Sequence, residues 1–124
     1  MRTKTSLTGK RGEAAVAGFL AAKGHKIVAR NWRSGHLELD IVSLDGSGLH
    51  FVEVKTRTSS DIAAPQENVG AVKQRRLAEA AKRFLAGSRG QFWGMEVFFD
   101  IAAVLDCDNH LEINYFPNAF IPTH

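Results

Sequence analysis

Two alternating, charged stretches joined by a tight turn constrain the fold of this chain more than any other feature. Leu49-His50-Phe51-Val52-Glu53-Val54-Lys55-Thr56-Arg57 is rich in β-branched and aromatic residues and alternates after Leu49, as a strand does. Leu49, Phe51, Glu53, Lys55 and Arg57 then share one face, and Val52, Val54 and Thr56 the other. Upstream, Leu37-Glu38-Leu39-Asp40-Ile41-Val42-Ser43-Leu44 alternates again, with Glu38 and Asp40 on one face and Leu39 and Ile41 on the other. The intervening Asp45-Gly46-Ser47-Gly48 is a turn signal. A two-residue loop (Gly46-Ser47) and a four-residue loop over 45–48 give the same register, with Asp40 opposite Glu53 and Glu38 opposite Lys55. A three-residue loop makes Asp40 and Glu53 diagonal neighbours.

Opposed side chains on one face have Cβ atoms about 4.5–5.5 Å apart. Glu38 against Lys55 is a favourable pair. Asp40 against Glu53 is a like-charge pair, which destabilises a sheet unless a cation lies between the two. A divalent metal meets that need, because Mg²⁺ is bound through one or two carboxylates plus phosphates and waters. A lone Glu-x-Lys reads more simply as a solvated strand face; the opposed Asp40 is what gives this one a chemical meaning.

These residues resemble the PD-(D/E)XK nuclease core of restriction endonucleases and archaeal Holliday-junction resolvases. More closely, the chain resembles the YraN-like family of small bacterial proteins with that core. The resemblance rests on seven blocks in order: Gly9-x-x-Gly12-Glu13, Arg30-Asn31-Trp32-Arg33, Glu38-Leu39-Asp40, Phe51 to Arg57, Lys73-Gln74-Arg75-Arg76-Leu77, Phe99-Asp100 and Asn118-Ala119-Phe120. One position departs from the pattern. The family usually has Gly before the Glu of its Glu-Ile-Asp motif, and here that residue is Leu37. The resemblance implies an α/β fold of restriction-endonuclease type: a mixed five-stranded sheet flanked by two main helices, in the order α-β-β-β-α-β-β. It also implies a single endonuclease-like domain over 1–124.

Composition agrees with one domain. A chain of 124 residues suits a single core. No apolar stretch approaches the roughly 18 residues of a membrane span, and the basic start, Met1 to Ser6, is not followed by a signal-peptide core. The single cysteine, Cys107, has no internal partner and no zinc-type spacing. A cytoplasmic location is the simple expectation. Charge is polarised. Residues 1–33 carry eight Lys or Arg against Glu13 alone, and 71–89 carry six against Glu79. Residues 90–124 carry no Lys or Arg and five acids. Such asymmetry points to a polyanionic partner met by one side of the molecule.

In chain order, residues 1–6 are expected to be loose. A helix is expected from about Leu7 to Lys23, burying Val16, Phe19 and Leu20 and stopping at Gly24. Its Glu13 reads either as a carboxylate complementing the helix dipole or, by resemblance, as part of a metal cluster. Gly9 and Gly12 inside it need a close approach to explain them. A first strand follows over His25 to Trp32, where Trp32 reads as a packing residue. His36 sits in a solvated link. A long mobile loop is expected over 58–70, bordering the site, then a helix from Ala71 to Ala86 that buries Leu77, Ala80, Ala81 and Phe84. A fourth strand is clearest over Glu96 to Val104 and a fifth over His110 to Phe116. Asp100 reads as structural or supporting, and the tail with Pro117 and Pro122 as an edge cover.

By resemblance, the expected chemistry is hydrolysis of a phosphodiester in nucleic acid, chiefly DNA, duplex or branched. Asp40 and Glu53, with the Val54 carbonyl and Glu13, would hold Mg²⁺ or Mn²⁺, and Lys55 would orient water or stabilise developing charge. Glu38 would restrain Lys55 or face solvent. Arg11, Arg30, Arg33, Arg57, Lys73 and Arg76 are candidate phosphate contacts. No membrane partner is expected, and self-association as a homodimer is left open. Two rivals stand beside the enzyme: a non-catalytic nucleic-acid-binding protein that keeps the fold, and a protein-interaction module using the basic face.

Overall fold

The computed structural model describes residues 3–58 and 69–122, with side chains from residue 9. Two helices and five strands follow in the order α1 (Thr3–Ala22), β1 (Lys26–Ser34), β2 (Leu37–Asp45), β3 (Gly48–Thr58), α2 (Ala71–Gly87), β4 (Val97–Asp106) and β5 (Leu111–Phe120). This is the expected α-β-β-β-α-β-β order. The strands form one sheet in sequence order; β3 and β4 are parallel, and the other neighbours are antiparallel. The parallel pair requires a crossover, which α2 supplies. Among the described residues no helix is long and apolar enough to cross a membrane.

The sheet carries a core on each face. Under α2 lie Leu37, Leu39, Val42, Leu49, Phe51, Ile101, Leu77, Ala80, Ala81 and Phe84. Under α1 lie Ile41, Val52, Ala102 and Val104, packed on Val16, Ala17 and Leu20. The α2 stripe is the one the periodicity indicates; on α1, Val16 and Leu20 are buried as expected, Ala17 joins them, and Phe19 is only partly buried. Trp32 packs edge-on against Phe84, with centroids 5.6 Å apart. Leu37, the residue that replaces the expected glycine, is buried in the α2-side core.

The β2–β3 hairpin closes through the two-residue loop: Asp45 pairs with Gly48, and the ladder runs to Ile41 opposite Val52. Gly48 is required, since its φ is +150° and a Cβ would come 2.4 Å from the Glu96 carbonyl oxygen. That carbonyl accepts the Leu49 N–H at 2.9 Å, joining the turn to the start of β4.

Several boundaries differ from the sequence expectation. Helix α1 begins at Thr3, so residues 3–6 are helical rather than loose. Strand β5 continues through Pro117 to Phe120. It lies at the sheet edge and its register shifts opposite Asp100, so the missing proline N–H costs the ladder little. Of the loop expected over 58–70, residues 59–68 lie outside the described residues, whereas Val69 is buried in the α2-side core.

Gly12 explains itself through packing. A Cβ there would lie 2.2 Å from Thr56 Oγ1 and 3.3 Å from Thr56 Cβ, so α1 rests directly on β3 at this point. Alanine is the better helix former, yet Gly12→Ala is expected to destabilise by about 1–3 kcal/mol through overpacking. Gly12→Ala/Thr56→Ala should recover most of the loss. A denaturant double-mutant cycle checks this; additive effects would remove the proposed contact.

Candidate functional site

The site forms where β2 leaves β3. Strict alternation fails at Asp40: Leu37 and Leu39 join the core under α2, but Ile41 joins the core under α1. Opposite this point β1 carries Asn31 in the left-handed region, at φ +52°. Asn adopts that conformation more readily than most residues. Beyond Ile41–Val52 the ladder gives way to a side-chain link, in which the Val54 N–H donates to Asp40 Oδ2 at 2.9 Å. Val54 therefore offers Asp40 its amide, in addition to whatever its carbonyl does.

Asp40 and Glu53 face each other, as the register requires, and their carboxyl groups are hydrogen-bonded to one another. Burial, then the Asp40 charge, pushes the Glu53 carboxyl up to about 7, against the pull of Lys73 and Lys55. Burial likewise raises Asp40, opposed by the Val54 amide and by Lys73. The pair thus holds a proton near neutral pH. Lys73 Nζ lies 3.5 Å from Glu53 Oε2. A lysine in the first turn of α2 has the wrong sign for the helix dipole, and its reach to Glu53 offsets that cost.

Glu13 enters from α1. Burial and the nearby Asp40 raise its carboxyl, while Arg30 and a hydrogen bond from Asn31 lower it. Its Oε1 and the Thr56 hydroxyl are buried with no hydrogen-bond partner. Glu13 nevertheless does not meet Asp40 and Glu53 at a single point. Among the described residues, only two groups of three candidate ligands bring their atoms within 4.8 Å of one another, and neither is this trio. Glu13 borders the pair rather than completing a three-carboxylate cluster. Glu38 is exposed and ion-paired at 3.7 Å with Arg33, its β1 neighbour, not paired with Lys55 as the extrapolated register implied. Lys55 is partly buried, and its charge acts on Glu53.

The basic residues divide. Lys73 lies beside the carboxyl pair, Arg30 acts on Glu13, and Arg33 pairs with the exposed Glu38. Arg76 is exposed on α2 and Arg57 is partly buried at the end of β3. Arg11 is engaged with Asp106 at 2.9 Å. His36 is exposed.

A second polar constellation lies at the other end of the hairpin, and the sequence reading missed it. His25, Asp45 and His50 form one of the two groups able to ligate a metal. Behind His50, the fully buried Asp100 accepts from its Nδ1 at 2.7 Å, from the Tyr115 hydroxyl, and from the Asn118 N–H at 2.8 Å. The available signal was the register, which sets His50 opposite Ser43 near Asp45. The other group is Cys107 and His110 of the β4–β5 turn with Glu112 of β5. Here the spacing argument against a metal partner for Cys107 did not foresee the turn geometry. Partial desolvation and then Glu112, Asp106 and Asp108 hold the thiol above its usual range, which disfavours the thiolate.

Comparison with known proteins gives the chain a family. Residues 12–104 match the uncharacterised protein family UPF0102. The chain is 43% identical over 96 residues to a UPF0102 protein of Oleidesulfovibrio alaskensis, which covers 77% of this chain and only 46% of that relative's length. It is 40% identical over 112 residues to one from Anaeromyxobacter dehalogenans, covering 90% and 82% of the two chains. With one from Chlorobaculum tepidum the identity is 46% over 97 residues, covering 78% and 74%. With this match over most of its length, its helices and sheet in the order its motifs imply, the chain belongs to the UPF0102, or YraN-like, family.

Proposed function

We propose that the protein is a metal-dependent nuclease that hydrolyses phosphodiester bonds in nucleic acid, chiefly DNA. The observation that carries this reading is the desolvated Asp40–Glu53 pair, held face to face with Lys55 and Lys73 beside it. Burial and mutual repulsion raise both carboxyl groups, and a divalent ion bound between them would take the place of the shared proton. The buried, unpartnered Glu13 Oε1 nearby is a further polar atom suited to a hydrated ion.

Asp40 and Glu53 would hold Mg²⁺ or Mn²⁺. The bound ion supplies Lewis acidity and a more acidic water. The chain's own groups do the rest. Lys55 stabilises charge that develops on the phosphate. Glu13, its carboxyl raised toward neutrality, accepts a proton from the attacking water. Lys73, with the amino-terminal end of α2 behind it, receives phosphate charge and exchanges its Glu53 contact for it. Arg30, Arg33, Arg57 and Arg76 extend the cationic surface along the backbone of the nucleic acid, and Arg11 does so once released from Asp106.

A cleavage screen over duplex, single-stranded, flap and four-way-junction DNA with Mg²⁺ or Mn²⁺ tests the proposal. Cleavage lost on chelation and in Asp40→Asn is the expected result. Salt-sensitive binding with no cleavage of any substrate would favour the non-catalytic binding protein. In either case, Arg75→Ala/Arg76→Ala should flatten the salt dependence of binding by about two phosphate contacts. An unchanged slope would take α2 off the binding face.

A further inference from the structure

We infer that His25, Asp45 and His50 form a second metal site, for a transition ion of the Zn²⁺ class, separate from the carboxyl pair at Asp40 and Glu53. The five steps along β2 from Asp40 to Asp45 span about 16 Å of strand, at about 3.3 Å per residue. The two sites therefore lie at opposite ends of the hairpin.

The geometry points to a borderline-soft ion rather than Mg²⁺. Both imidazoles turn Nε2 toward one carboxylate. His25 Nε2 is 3.3 Å from Asp45 Oδ2, and His50 Nε2 is 2.9 Å from Asp45 Oδ1. Tetrahedral zinc, with bonds of about 2.0–2.1 Å, separates its ligands by about 3.3 Å. The spacings already approach that value, and the three ligand atoms lie within 4.8 Å of one another. Two imidazoles and a carboxylate are a zinc-type donor set, and a fourth position is left to water or a partner group.

Each histidine is also supported from behind. His50 Nδ1 is held by Asp100, and His25 Nδ1 lies 2.9 Å from the buried Ser43 hydroxyl. Such supports fix the ring and its tautomer so that Nε2 is presented to a metal. A cleft of about 350 Å³, lined by Phe19, Lys23, His25, Tyr115 and Pro117, gives solvent a route to His25.

Ser47, His50 and Asp100 also resemble a hydrolytic triad, with Ser47 Oγ 3.1 Å from His50 Nε2. That reading fails because Asp45 Oδ1 takes the Ser47 hydroxyl at 2.6 Å together with the Ser47 and Gly48 amides. The Ser47 and Gly48 amides are therefore already engaged and do not form an oxyanion hole.

The test is a Co²⁺ titration, followed by Zn²⁺ displacement, in the Asp40→Asn/Cys107→Ser background, which weakens both rival sites. One equivalent should bind with visible d–d absorption of tetrahedral type, and Zn²⁺ should abolish that absorption. Added His25→Gln should remove it while far-UV circular dichroism stays unchanged, because His25 precedes β1 and glutamine can keep the hydrogen bond to Ser43. Added Ser43→Ala should weaken binding by about 10–100-fold. Absence of saturable binding, or binding that survives His25→Gln, would overturn the site.

Discussion

Glu53→Gln is expected to raise the melting temperature of the metal-free protein by roughly 5–10 °C at pH 8, to leave it nearly unchanged at pH 5, and to abolish the proposed cleavage. The cause is the desolvated pair. Burial, then Asp40, lifts the Glu53 carboxyl from its ordinary 4.5 to about 7. The folded state therefore keeps a proton that the unfolded chain has already released. Stability from that proton is complete below about 4.5 and is lost as pH rises through about 7. At about 1.4 kcal/mol per pKa unit, the loss reaches about 3.5 kcal/mol at high pH, enough for the stated shift in a chain of this size. Glutamine mimics the protonated form and does not titrate. Mg²⁺ or Mn²⁺ should stabilise the wild type at pH 8 in place of the proton and stabilise Glu53→Gln far less. Lys55→Ala separates ligand from helper: cleavage is lost, but metal affinity holds or rises because a like charge is removed. Thermal melts at pH 5 and pH 8 with calorimetric metal titration check both variants. A Glu53→Gln protein no more stable than wild type at pH 8 would mean that the two carboxyls are not coupled.

Asp100→Ala is expected to destabilise the fold by about 3–5 kcal/mol, or roughly 10–20 °C in Tm. Asp100 is fully buried on β4 and accepts from three donors on its two neighbouring strands: the His50 imidazole of β3, and the Tyr115 hydroxyl and Asn118 amide of β5. Alanine leaves all three donors inside the protein without an acceptor, and each costs its own desolvation. The His50 imidazolium also loses its closest counter-charge. Because its pKa is raised overall, its contribution is present below about 6.5 and lost as pH rises through the raised value. The gap between wild type and Asp100→Ala should therefore narrow at high pH. Asp100→Asn, which keeps one acceptor oxygen, should lose about half as much. Urea titrations at pH 6 and pH 9 measure the difference; a cost that does not change with pH would remove His50 from the network.

Short-range regularities made much of this protein legible in its sequence. Alternation over Leu37 to Arg57, with a two-residue Gly-Ser turn, set the hairpin register and therefore the meeting of Asp40 with Glu53. The helical recurrence of Leu77, Ala80, Ala81 and Phe84 named the buried face of α2. Both follow from backbone periods that operate over a few residues. Tertiary structure decided what those periods cannot reach. Alternation reverses across Asp40 because β1 turns at Asn31 opposite it, a kink that needs both strands in place. Lys73 reaches Glu53 because the crossover to a parallel β4 sets the start of α2 over the end of β3, which makes a residue expected on phosphate a partner of the carboxyl pair. The His25–Asp45–His50 group, with Asp100 behind it, draws on the chain before β1 and on β2, β3 and β4. The hairpin register brings Asp45 and His50 together, but His25 and Asp100 lie far from them in sequence and carry no local pattern. Only the order of the strands brings them to one point.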